Sequence, residues 1–300
     1  MPIAVQNIIH INANCTDIAA SRRFFETVVG LTAANHLKAA PQAGAGMGLS
    51  GDAQWDGYAM QDTSGWAGTM LDLLQWTIPP TEVSPGTAID RLGYAWVAID
   101  VPDVAATIER ARHWSVPVIT TSDPDAGWLH TPDGLPIEVR RSAAKQTALA
   151  YVAINCRDLA RSRTWYGDML GFDTLDEVHA RTLPGALAGR AAPVTVRTQG
   201  MALPGRPRNF GIQLVQRTEA QTLLPPRTNA NAQGLFRLAV AVEDITSSYT
   251  QLRALGADCP LAPCWVHLGP ESPVEGVWAL FFRDPDGTCV ELIQTPQFSC

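Results

Sequence analysis

The chain has 300 residues, 46% of them hydrophobic, and a formal net charge of −7. That length and apolar content can bury two cores at roughly 150 residues per domain. The acidic balance, without a Lys/Arg cluster, leaves no footprint for nucleic acid or an anionic membrane. No apolar run nears the roughly 20 residues of a membrane-spanning helix, and the start lacks the basic and apolar regions of a signal peptide. A cytoplasmic protein with small-molecule ligands is therefore expected. The six cysteines form no CxxC pair and are too sparse for a stapled secreted scaffold, so reduced thiols are expected too.

Along the chain one segment occurs four times, at Ile8–Ile18, Tyr94–Val104, Leu149–Leu159 and Leu235–Ile245. Each copy is an apolar strand that runs into an aspartate: Asp17, Asp103, Asp158 or Asp244. A carboxylate there caps the free N–H groups of a following helix and opposes its dipole, which makes these residues helix starters. Gly30, Gly171 and Gly256 stand where a left-handed residue would end the helices. The first and third copies agree further, with Asn14-Cys15, Ser21-Arg22 and Gly30 answering Asn155-Cys156, Ser162-Arg163 and Gly171.

A second segment closes each unit: Leu71-Asp-Leu-Leu-Gln75, Ile137-Glu-Val-Arg-Arg141, Ile212-Gln-Leu-Val-Gln216 and Val290-Glu-Leu-Ile-Gln294. Every copy sets one polar residue between apolar neighbours. Thr131-Pro-Asp-Gly134 and Asp284-Pro-Asp-Gly287 precede the second and fourth copies and favour tight turns, so the closing segments are second arms of hairpins. The units span 5–78, 92–142, 147–217 and 234–296, joined by Pro-rich or polar linkers. The shortest connector lies around Arg141–Gln146 and sets the expected domain boundary, giving domains 1–145 and 146–300.

The opening strand ending in Asp-(Leu/Ile), the aromatic-bearing helix closed by Gly, and Phe282-Arg-Asp-Pro-Asp-Gly-Thr-Cys-Val-Glu-Leu-Ile293 together resemble the vicinal oxygen chelate superfamily. That group includes glyoxalase I, bleomycin-resistance proteins, fosfomycin-modifying enzymes and extradiol dioxygenases. The resemblance implies an α+β fold of four βαβββ modules, paired into two incompletely closed eight-stranded barrels. Units one and two, and units three and four, are the expected pairs. Whether the chain forms a homodimer stays open.

In metal-binding members the ligands come from the third residue of the opening strand and the polar residue of the closing strand. Those positions here are His10, Asp72, Trp96 and Glu138 in the first expected domain, and Tyr151, Gln213, Arg237 and Glu291 in the second. Period-two geometry puts each on one face of its sheet. His10, Asp72 and Glu138 could hold one divalent ion (Zn, Mn, Fe or Ni), or could be a core histidine with two hydrogen-bonding carboxylates. In the second domain Tyr151 and Arg237 replace the two histidines an iron site needs, so no metal is expected there, and Glu291 should pair with Arg237.

That leaves Tyr151, Arg237 and Glu291 as candidate catalytic groups, and Trp96, Gln213 and His267 as candidate ligand contacts. Structural roles for the same residues remain open: an ion pair for Arg237 and Glu291, a satisfied core hydroxyl for Tyr151. Trp76, Trp96 and Trp128 would suit a flat apolar ligand, or simply a core. His36, His113, His130 and His179 carry no site argument. The function implied is that of a lyase, isomerase or dioxygenase on a small, oxygen-bearing, aromatic metabolite, without a nucleotide cofactor. The alternative is a non-catalytic binding protein of the bleomycin-resistance kind.

Overall fold

A computed structural model describes residues 1–83, 88–205, 210–219 and 223–294. Four strands open the four modules: Val5–Asn14, Gly93–Val101, Ala148–Asn155 and Gly234–Val242. Helices follow at Ile18–Phe24, Val104–His113, Leu159–Leu170 and Ile245–Ala254, the first continued by a π-turn over Phe25–Val29. Each aspartate caps its helix. Asp17 accepts from Ala20 N at 2.9 Å, Asp103 from Ala106 N at 2.9 Å, Asp158 from Arg161 N at 3.0 Å and Asp244 from Ser247 N at 3.0 Å. Gly30 and Gly171 end their helical segments at φ +89° and +72°, a region that costs an L side chain strain. No helix among the described residues is long and apolar enough to cross a membrane.

The closing strands, Met70–Ile78, Pro136–Arg141, Gly211–Arg217 and Cys289–Gln294, each run parallel to the opening strand of their own module. Each also takes the preceding strand of its module as an antiparallel partner. In the second and fourth modules the Pro-Asp-Gly turns close as expected: Gly134 N donates to Thr131 O at 2.8 Å and Gly287 N to Asp284 O at 3.0 Å.

Module pairing departs from the sequence expectation. The opening strand of module one lies antiparallel to that of module four, in register from Val5↔Val242 to Asn14↔Gly234, and module two pairs with module three in the same way. Two nine-stranded mixed sheets result, each a paired, incompletely closed barrel that takes one module from each half of the chain. The boundary between 1–145 and 146–300 therefore does not separate the sheets. The physical reason lies in the connector after Arg141. A short connection keeps consecutive elements adjacent, so its brevity joins modules two and three within one sheet. The longer segments between modules one and two, and between three and four, cross from one sheet to the other.

The repeated asparagines belong to this arrangement. Asn14 Nδ2 donates to Ala230 O at 2.8 Å and Ala232 O at 2.7 Å, pinning the segment that leads into module four. Asn155 Nδ2 does the same to Ile89 O at 3.0 Å and Arg91 O at 2.7 Å, ahead of module two. Modules consecutive in sequence still touch through their hairpins. Asp133 accepts from Thr16 N at 2.9 Å and Ser21 Oγ at 2.8 Å, while Asp286 accepts from Arg157 N at 2.8 Å.

Strand alternation divides the apolar residues between three regions. One face of each sheet joins the helices in a shared central core, where Phe24, Val28, Ile108, Tyr166 and Leu252 meet Leu71, Val97, Ile154 and Leu238. The opposite faces point into the two cups, each with its own apolar cluster.

Candidate functional site

The cup of modules one and four is built on four adjacent strands, in the order closing four, opening four, opening one, closing one. One polar residue from each reaches the interior: Glu291, Arg237, His10 and Asp72. Arg237 Nε donates to Glu291 Oε2 at 2.7 Å, and one terminal nitrogen donates to Asp72 Oδ2 at 3.0 Å. Asn12 Nδ2 steadies Asp72 from behind, donating to its carbonyl at 3.0 Å and to Oδ2 at 3.3 Å. His10 Nε2 lies 3.3 Å from Glu291 Oε2 and 3.7 Å from Asp72 Oδ2, but it is out of line for a hydrogen bond to either.

All four side chains are nearly buried, with His10 the most accessible at 12%. Burial alone would raise the pKa of Glu291; the Arg237 charge, helped by His10, outweighs it and holds the carboxyl below its ordinary value. Burial likewise opposes the charge on Arg237, and Glu291 and Asp72 more than offset it, raising its pKa. Asp72, Glu291 and Arg237 together carry one net negative charge.

Above this base is a cavity of about 170 Å³ with apolar walls that include Trp55, Trp76, Leu74, Val277 and Phe281. Trp55 and Trp76 are cross-strand partners with ring centroids 5.4 Å apart. Trp66, 58% exposed, stands at the edge. The mouth is bordered by one loop from each module. Gln42 and His267 join them by two hydrogen bonds of 2.9 Å, and Gly269 packs so closely on Lys38 that a Cβ there would meet its carbonyl at 2.1 Å. His36 adds a further bridge, to Asp56 at 2.6 Å and to Glu271 at 3.2 Å.

In the cup of modules two and three the equivalent positions are Trp96, Glu138, Tyr151 and Gln213. Glu138 is the centre of a closed network. Trp96 Nε1 donates to its Oε2 at 3.2 Å, Tyr151 donates its hydroxyl to the same oxygen, and Arg181 forms a two-pronged ion pair across both oxygens. Burial first, and the Glu138 charge second, push the Tyr151 hydroxyl well above the usual phenol range, with Arg181 opposing. Gln213 Oε1 is buried without a partner among the described residues. The rest of the interior is packed with Trp128, edge-on to Trp96 at 5.4 Å, and with Leu183, Leu187, Val194 and Val215.

The new pairing redistributes the expected site. Glu138 is not in the cup with His10 and Asp72, so the proposed three-ligand set does not assemble; Arg237 and Glu291 take that place. Tyr151 and Gln213 are not beside Arg237, and Trp96 faces Glu138 instead of His10. His267 lies on the mouth of the first cup, half exposed, with Nδ1 3.4 Å from Trp265 Nε1. Trp55, Phe281, Asn12 and Arg181 escaped the sequence reading. The first two are the cross-strand partners of the flagged Trp76 and Glu291. Arg181 sits on the strand His179–Leu183, whose place in module one is held by the short strand Gln42–Ala43, and the two segments share no sequence motif that would point to it.

Paired βαβββ modules forming cups with convergent polar residues at their base define a fold of the vicinal oxygen chelate type. Residues 148–292 match the model of the Glyoxalase/Bleomycin resistance protein/Dioxygenase superfamily, and the whole chain has a duplicated, four-module fold of that type. Glyoxalase I from Zea mays superimposes with a TM-score of 0.64 at 14% identity, covering 96% of this chain and 92% of that one. A point mutant of the maize enzyme gives a TM-score of 0.65 at 14% identity, over 96% and 93%. A putative dioxygenase from Bacillus subtilis subsp. subtilis str. 168 gives 0.56 at 11% identity, over 98% and 86%. At these identities the likeness is one of fold. No curated protein matches the sequence.

The family resemblance implies a divalent metal, and the residues present do not fit one. Guanidinium is a permanent cation without a lone pair, and Arg237 lies on the two carboxylate oxygens that an ion would need. Among the described residues no group of three or more His, Cys, Asp and Glu side chains is arranged to hold a metal ion as it stands.

Proposed function

We propose that the chain acts on a flat, largely apolar small molecule with an oxygen-bearing end, bound in the cup of modules one and four, and that His10 moves a proton on it without a metal ion. The observation that carries this is His10 itself, at the polar base of an aromatic-walled cavity and facing two carboxylates. Those carboxylates, 3.3 and 3.7 Å from Nε2, favour the tautomer with its proton on that nitrogen. Nε2 is the nitrogen that faces the carboxylates, so Nδ1 is the nitrogen assigned to the ligand. The second terminal nitrogen of Arg237, beyond the two bonds to carboxylates, supplies a donor and a positive charge for a ligand oxygen that turns negative. Together these groups supply isomerase or lyase chemistry by proton transfer.

The test is a screen of aromatic and carbonyl compounds for binding, read by quenching of the cup tryptophans, followed by turnover of the hits. His10→Gln should bind a hit as wild type does and lose turnover by about 10²–10⁴-fold, the usual contribution of a general base. Turnover that survives this substitution would reject the role of His10. A second reading, sequestration without turnover, is favoured by the mutual satisfaction of Arg237, Asp72 and Glu291. Tight binding of a hit that is recovered unchanged would select it.

A further inference from the structure

The base of the first cup has the spacing of a metal site and the occupant of an ion pair. Ligand atoms held at about 2.1 Å around one tetrahedral Zn²⁺ lie roughly 3.4 Å from each other. His10 Nε2 is 3.3 Å from Glu291 Oε2 and 3.7 Å from Asp72 Oδ2, so the imidazole already stands at about that distance from two carboxylate oxygens. The same two oxygens accept from Arg237, at 2.7 and 3.0 Å. The other cup repeats the device from a different place in the chain, with Arg181 paired to the buried Glu138.

We propose that Arg237 is a side-chain substitute for a divalent ion: its guanidinium supplies the positive charge that holds Asp72 and Glu291 together, and it keeps a metal from the donors of His10, Asp72 and Glu291. This builds on the metal-free account of the first cup given above. Removing the charge while keeping His10, Asp72 and Glu291 should turn the cup into a site for a borderline cation such as Zn²⁺ or Co²⁺, with the residue at position 237 or water completing the shell. A single arginine would then separate the metal-free cup from a metal-binding one.

The experiment titrates Zn²⁺ into the wild-type chain, Arg237→Gln and Arg237→His by calorimetry, with Co²⁺ absorption as a spectroscopic readout. Circular dichroism checks each fold. Arg237→Gln should take up one ion per chain, show the visible bands of four-coordinate Co²⁺, and melt higher with Zn²⁺ than with chelator. Adding His10→Ala should abolish all three. Wild type should show none of them. Folded Arg237→Gln and Arg237→His that bind no ion would overturn the proposal. So would a wild-type chain that binds one ion and loses it on His10→Ala, a measurement that decides even if both arginine variants fail to fold. Metal uptake is read without any substrate. Gain of metal by Arg237→Gln beside a wild-type chain that turns nothing over would keep this inference and remove the catalytic one.

Discussion

The two cups descend from the same repeat and have diverged in opposite directions. In the cup of modules one and four the polar base is matched by a cavity of about 170 Å³ above it. In the cup of modules two and three, Trp96, Trp128 and the Leu183–Leu187 segment fill the interior, and Glu138 is bound by three donors at once. Both cups bury a carboxylate and neutralise it with an arginine. Only the first leaves an imidazole at a cavity. An arginine on a carboxylate is thus compatible with either a working site or a structural plug, and the packing around it decides which.

Arginine 237 gives the largest test of that contrast. Arg237→Met should destabilise the chain by about 3–5 kcal/mol, because it leaves Asp72 and Glu291 buried beside each other without a counter-charge. Chemical denaturation reads this directly, and a loss under about 1 kcal/mol would show that the pair is solvated. In the packed cup Trp128→Ala should cost a similar amount, about 3–5 kcal/mol, by opening a void that the walls cannot close. The same variant should gain affinity for indole, which would make the second cup resemble the first.

Acid and alkali should separate the cups. The pKa of Glu291 is lowered in the fold, so its contribution is present above the unfolded value of about 4.3 and is lost as the pH falls through the folded value. The pKa of Tyr151 is raised, so its contribution is complete below the unfolded value of about 10 and is lost as the pH rises towards the folded value. Melting curves across pH should then show a weaker acid limb in Glu291→Gln and a weaker alkaline limb in Tyr151→Phe. The reverse assignment would refute the electrostatic account. The smallest effect belongs to the mouth: Leu268→Ala widens a cavity that is already open and should cost about 0.5 kcal/mol or less.

The fold was legible where its cause is local. Asp17, Asp103, Asp158 and Asp244 announce helices because a cap acts within three residues, and the Pro-Asp-Gly turns announce hairpins for the same reason. The eight candidate positions come from the family resemblance, and strand alternation puts each on one face of its sheet. How those eight divide was not legible, because it depends on which module pairs with which. The connector after Arg141 marks a boundary or a tether equally well until the sheet is seen. With the pairing reversed, His10 and Asp72 exchange Glu138 for Glu291 and acquire Arg237. Arg181 was beyond reach, since its strand, like its short counterpart Gln42–Ala43, carries none of the repeated sequence.

The central claim is that the cup of modules one and four is the open site and that of modules two and three is closed. Crystals soaked with small flat aromatics such as phenol and indole test it most directly. Density is predicted in the first cup, against Trp55 and Trp76 with the polar end towards His10 and Arg237, and none is predicted between Trp96 and Trp128. Fragments seated on Glu138 and Tyr151, with the first cup empty, would contradict it.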